Sequence, residues 1–140
     1  MNLYLDTSAL VKLYVREAGS SAVSRHVQAA NRVLTSRVAY PEARAAFARR
    51  HREGAFPARS LRRVVARLDH DWAAYVVVDL LDSVARRAGV LTESRALRGF
   101  DAIHLASALE IATLLGEPVT FLAFDARLAT AAAAEGLSAP

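Results

Sequence analysis

The 140-residue sequence predicts an α/β fold built on a central, mostly parallel sheet. Two observations carry that expectation. Four short apolar runs of strand length are separated by stretches with helical spacing, so successive strands need crossover connections and run parallel. No linker or internal repeat divides the chain, and its length suits one domain over residues 1–140.

Each element has its own local reason. Residues 2–5 form the first strand. Residues 8–16 read as a short helix with apolar Leu10, Val11 and Val15, ending near Gly19. Ser20 can cap a second helix that runs to about Ala30. Residues 33–35 form the second strand. Residues 38–53 are helical and Gly54 stops them. Pro57 suits the first turn of the next helix, which reaches about Trp72. Residues 76–78 form the third strand, and residues 80–88 a helix ended by Gly89. The helix over 101–115 carries Ala102, Leu105, Ala106, Leu109 and Ala112 on one apolar face. Gly116 closes it. Residues 119–124 form the fourth strand, and residues 127–135 the last helix.

Composition narrows the function. The chain is 54% hydrophobic and 23% charged, which argues for a packed core and against disorder. It has no cysteine, so disulfides and thiolate metal sites are excluded. No apolar run is long enough to span a bilayer, and the N-terminus lacks a signal-peptide pattern. A soluble cytoplasmic protein without a membrane partner is expected. The net charge is +4, and Lys12 is the only lysine, so the positive charge is almost all arginine. Guanidinium grips phosphate with a bidentate fork. Arg59, Arg62, Arg63 and Arg67 recur at helical steps, as a solvated face, a track for a phosphate backbone or a dock for an acidic partner.

The chemistry lies with four carboxylates. Asp6 follows the first strand and Asp125 the fourth. Glu42 falls early in one helix and Asp101 opens another. Ligands of open parallel sheets bind outside the carboxyl ends of the strands. Asp6 and Asp125 therefore share one rim, and Glu42 and Asp101 can lean in. Singly, each has an ordinary alternative: Asp6, Asp101 and Asp125 suit helix starts, and Glu42 suits a solvated turn. Together they repel, by roughly 4 kcal/mol for a pair at about 4 Å and an effective dielectric near 20. For an all-oxygen set, Mg²⁺ or Mn²⁺ offsets this most simply. His26, His51 and His70 read as exposed. His104 lies at i,i+3 from Asp101 and reads chiefly as a packing or capping residue. Phosphate-binding and dinucleotide glycine loops are absent, as is a nucleophile elbow.

Four segments resemble the conserved blocks of the PIN-domain family. They are Leu5-Asp6-Thr7-Ser8-Ala9-Leu10, Thr35 to Ala46 with Glu42, RGFDAIHLASAL with Asp101, and FLAFDARL with Asp125. The length resembles the VapC toxins of bacterial toxin–antitoxin pairs. This resemblance implies a PIN-like three-layer α/β/α fold with a central four- to five-stranded, mostly parallel sheet. It implies an endoribonuclease dependent on Mg²⁺ or Mn²⁺, hydrolysing RNA with a metal-activated water. Asp6, Glu42, Asp101 and Asp125 would be both the catalytic residues and the metal ligands, with Thr7, Ser8 and Arg98 touching substrate or orienting a carboxylate. It further implies an RNA substrate (transfer RNA is common among these toxins), a homodimer and a cognate VapB-type antitoxin. A non-cleaving RNA- or partner-binding module and a DNA-directed or flap-type nuclease are the alternatives. The sequence departs from many relatives at Ala123, where they carry a hydroxyl.

Overall fold

A computed structural model describes all residues, Met1–Pro140. In chain order the elements are β1 (Asn2–Leu5), α1 (Thr7–Val11), α2 (Ser20–Ala29), β2 (Arg32–Ser36), α3 (Ala39–Arg52), α4 (Ala58–Trp72), β3 (Val76–Val78), α5 (Asp82–Ser94), α6 (Gly99–Leu115), β4 (Val119–Leu122) and α7 (Ala126–Ala134). The strands pair in the order β3-β2-β1-β4, every pair parallel. Tyr4 of β1 lies in register with Leu34 of β2 and Phe121 of β4.

Strand side chains alternate between faces, and that alternation divides the core into two layers. Leu3 and Leu5 pack with α1, α2, α3 and α4, through Leu10, Val23, Phe47 and Leu68 among others. Tyr4 points the other way, with Leu34 and Phe121, into a core completed by α5, α6 and α7. Its ring stacks on Phe121 at 5.2 Å between centroids. The result is the expected three-layer α/β/α arrangement.

Topology places the site. From β1 the chain moves to β2 and β3 on one side, then returns past β1 to β4 on the other. The sheet reverses its winding between β1 and β4, where α/β folds open a crevice at the carboxyl edge. Asp6 leaves β1 there, and its N–H donates to the Leu122 carbonyl of β4 at 3.2 Å.

Several boundaries differ from the sequence reading. The first helix is short, because after Val11 the chain tightens into i−3 bonds, Leu13 to Leu10 and Tyr14 to Val11. That turn buries Tyr14 and Val15. Gly89 does not end α5. The face Val84, Ala88 and Leu91 continues through it and is buried. Glycine in a helix costs about 1 kcal/mol, less than the roughly 1.5–3 kcal/mol returned by burying a residue such as Leu91. β4 stops at Leu122, so Ala123 and Phe124 belong to the rim. At the C-terminus only one parallel bridge forms, Thr120 to Ser138, at the position of a fifth strand. Gly116 does close α6, in the left-handed region at φ 62°. His51 and His26 are half-buried, whereas His70 is exposed. The His51 Nδ1 lies 2.9 Å from the Phe56 carbonyl.

Candidate active site

Asp6 is the centre of the carboxyl rim. It N-caps α1, and its Oδ1 accepts from the Ala9 N–H at 2.9 Å and the Ser8 hydroxyl at 2.7 Å. The residue is buried, with 4% of its surface exposed. Its Oδ2 has no protein partner. The only fully enclosed side-chain N or O atom without one is Ser107 Oγ, so Asp6 Oδ2 reaches solvent. Burial pushes the Asp6 carboxyl above its ordinary value, and the Asp101 charge adds to this. Hydrogen bonds from Ala9 and Ser8 and the His104 charge pull the other way without prevailing.

Glu42 stands in the first turn of α3 and is held by a second network. The Thr7 hydroxyl donates to its Oε1 at 2.6 Å. His104 Nε2 lies 3.0 Å from the same oxygen and 2.9 Å from Thr7 Oγ1. A carboxylate only accepts, so Nε2 carries a hydrogen, and Nδ1 on the other side of the ring lies 3.0 Å from the Tyr4 hydroxyl. Burial pushes the Glu42 carboxyl up, but the bonds from His104 and Thr7 outweigh it and hold the group below its ordinary value. Two acids on one rim are thus shifted in opposite directions.

Asp101 lies in the first turn of α6 and is partly exposed. Its nearest cation is Arg98, with Nε 3.4 Å from Oδ2. The Arg98 side chain is 83% exposed, and so open a pair contributes little to stability. Glu42, Arg98, Gly99, Phe100 and Asp101 line one cavity of about 330 Å³. Asp125 sits apart: it is exposed and caps α7, accepting from the Leu128 N–H at 2.9 Å. Its link to the rest runs through Phe124, whose N–H donates to Ser8 Oγ at 3.3 Å.

The structure therefore joins Asp6 to Ser8, Glu42 to Thr7 and Asp101 to Arg98, and leaves Asp125 at the margin as a helix cap. No three His, Asp or Glu side chains come close enough to hold one ion by themselves. The donor set nevertheless suits Mg²⁺ or Mn²⁺. It is all oxygen, and each acid uses one oxygen in a protein contact and keeps the other free. Mg²⁺ is commonly held by one or two carboxylates with water and substrate phosphate, so a complete protein cage is not required.

Sequence reasoning underweighted His104. It is 2% exposed and bridges Tyr4 to the Glu42–Thr7 pair. The available signal was a lone imidazole in an otherwise apolar helix face, one turn beyond an acid. In the arginine stripe, Arg59, Arg62 and Arg63 are exposed on α4, whereas Arg67 turns back over the Tyr14 ring.

Comparison with known proteins agrees with this architecture. A family model described as PIN domain matches residues 3–134. Ribonuclease VapC45 of Mycobacterium tuberculosis (strain CDC 1551 / Oshkosh) is 42% identical over 135 residues, covering 96% of this chain and 91% of that protein. Among solved structures, M. tuberculosis VapC20, described as a sarcin-ricin loop cleaving toxin, superposes with a TM-score of 0.67 at 19% identity, covering 92% of this chain and 94% of its own. A toxin–antitoxin complex from Klebsiella pneumoniae superposes with a TM-score of 0.60 at 18% identity, covering 84% and 83%. At those identities the two structures speak for the fold alone.

Proposed function

The chain belongs to the PIN-domain family, and from that premise we propose that it is an endoribonuclease dependent on Mg²⁺ or Mn²⁺, the toxin of a VapBC-type pair. One observation carries the reading. At the winding reversal of the sheet, Asp6 and Glu42 are each fixed through one oxygen while the other stays free, and Asp101 on the same rim meets the exposed Arg98. Full-length similarity to a protein named ribonuclease supplies the substrate class.

Asp6 and Asp101 are the direct ligands of the ion in this reading, and Glu42 and Asp125 complete the acidic field. The chemistry supplied by Mg²⁺ or Mn²⁺ at such a rim is neutralisation of phosphate charge and acidification of water. The residues of the chain do the positioning. Ser8 and the α1 N-terminus fix Asp6, and Thr7 with His104 fixes Glu42. Arg98, free to swing, meets a phosphate of the RNA beside Asp101. Shape and backbone contacts alone would gain nothing from this much negative charge, so cleavage fits better than passive binding.

A VapB-type antitoxin is the expected inhibitor, and a homodimer the expected assembly. Light scattering of the purified chain, alone and with the product of a neighbouring short reading frame, tests both. Incubation with single-stranded RNA and DNA side by side, with Mg²⁺ or with EDTA, tests the activity. Cation-dependent cleavage of RNA supports the assignment. Cleavage of DNA alone transfers it to a DNA-directed nuclease, and binding without cleavage to a passive module.

A further inference from the structure

Two phenylalanines stand exposed beside the acids, one in the first turn of α6 and the other in the loop between β4 and α7. Phe100, in the first turn of α6, is 55% exposed and lines the cavity with Glu42, Arg98 and Asp101. Phe124, immediately before Asp125, is 44% exposed. Its backbone is tied to Ser8, and Lys12 Nζ lies over its ring, 4.5 Å from the centroid. The ring also packs against Gly19, where an added Cβ would sit 2.7 Å from Phe124 Cε1. Gly19 has φ 92°, so both its conformation and the ring exclude a side chain there. Phe124 is therefore seated in a fixed position although nearly half its surface is open.

Scattered exposed apolar residues are ordinary on protein surfaces. These two differ in their surroundings: Phe100 shares its cavity with Arg98, Phe124 carries Lys12 over its ring, and both stand at the edge of a carboxylate site. Open aromatic faces hold unstacked nucleobases, and an exposed cation such as Arg98 meets a backbone phosphate, whereas Lys12, paired with Glu17 at 3.0 Å, serves to seat the Phe124 ring. We propose that Phe100 and Phe124 are stacking platforms for nucleobases on either side of the scissile phosphate. This rests on the ribonuclease reading and adds the residues that seat the strand. The bases it seats must be unpaired, since a base inside a duplex has no free face.

The test measures binding of a fluorescein-labelled 12-nucleotide single-stranded RNA and of its duplex by anisotropy. All proteins carry Asp6→Asn to prevent turnover. Phe100→Ala and Phe124→Ala should each weaken single-strand binding about tenfold, and together more. Phe100→Trp should restore it. Leu114→Ala, which removes an exposed side chain near the far end of α6, should change nothing. The duplex should bind weakly and lose little in either alanine variant. Circular dichroism melting confirms that the variants fold. Equal single-strand affinity in parent and alanine variants overturns the stacking assignment, as does equal loss on duplex. If the chain with Asp6 intact nonetheless cleaves RNA, the ribonuclease reading survives that result. A chain that neither binds nor cleaves RNA overturns both.

Discussion

The two ends of the same four-stranded sheet treat charge in opposite ways. At the amino end, Glu117 accepts from Asn2 Nδ2 at 2.7 Å and pairs with Arg32 Nη1 at 3.0 Å. Those partners hold its carboxyl below its ordinary value. At the carboxyl end, Asp101 meets the exposed Arg98, Glu42 is held by Thr7 and His104, and Asp6 has no basic partner and is pushed up. What differs is that Glu117 is fixed by an amide and a guanidinium of its own chain, whereas Asp6 is held only by the neutral Ser8 hydroxyl and Ala9 N–H. The amino end balances its charge internally, and the carboxyl end leaves the Asp6 carboxylate without a basic partner, which is the ground for the proposal that a cation binds there.

The largest expected effect breaks this contrast. Asp6→Asn or Asp101→Asn should lower RNA cleavage by about a thousandfold or more, since ion-assisted charge stabilisation supplies several kcal/mol. Asp6→Asn should not cost stability. The folded Asp6 carboxyl titrates above its ordinary value of 3.8, so the ionised form costs stability once pH exceeds that value. Asparagine removes that cost and still caps α1. A melting temperature equal to or above wild type at pH 7 is expected. Full cleavage by either variant would break the site assignment.

Next in size is His104→Ala. It should reduce cleavage about 10- to 100-fold, as loss of a group that orients a ligand does at metal sites. It should also destabilise the fold by about 1–3 kcal/mol, because the buried Tyr4 hydroxyl loses its partner. Urea unfolding beside steady-state cleavage separates the two losses.

These residues also mark how far the sequence could be read. The rim was legible because Asp6 and Asp125 directly follow apolar runs, and strand order makes such positions share an edge. The long helix over Asp101 was legible from its apolar spacing. The role of Asp125 as the cap of α7 had been weighed as the ordinary alternative, and the cap is what the geometry displays. The continuity of α5 through Gly89 was not legible, because propensity is local and the burial of Leu91 is not. The Tyr4–His104–Glu42 network joins residues 100 and 62 positions apart, and no spacing rule reaches across a sheet. Phe124 was placed in β4, and only the observed end of that strand at Leu122 brings it onto the rim.

A finer prediction sharpens the contrast within the rim. Carboxyl-detected NMR titration should find Asp6 titrating above 3.8 and Glu42 below 4.5. Their stability contributions have opposite signs. Glu42 stabilises the fold above its ordinary value, and that contribution is lost as pH falls through its lowered folded value. Ionised Asp6 costs stability, and protonation relieves that cost as pH falls. Titration of both in the same direction would contradict the hydrogen-bond networks.

The smallest expected effect is at the opposite end. Glu117→Gln should leave cleavage unchanged and alter stability little, because the group is exposed and its ion pair is screened.

The most direct measurement is calorimetric titration of the metal-free chain with Mn²⁺, repeated on Asp6→Asn, Asp101→Asn and Glu117→Gln. The account predicts binding by wild type and Glu117→Gln, with a matching rise in melting temperature, and its loss in both rim variants. Equal Mn²⁺ binding by Asp6→Asn, Asp101→Asn and wild type would contradict it.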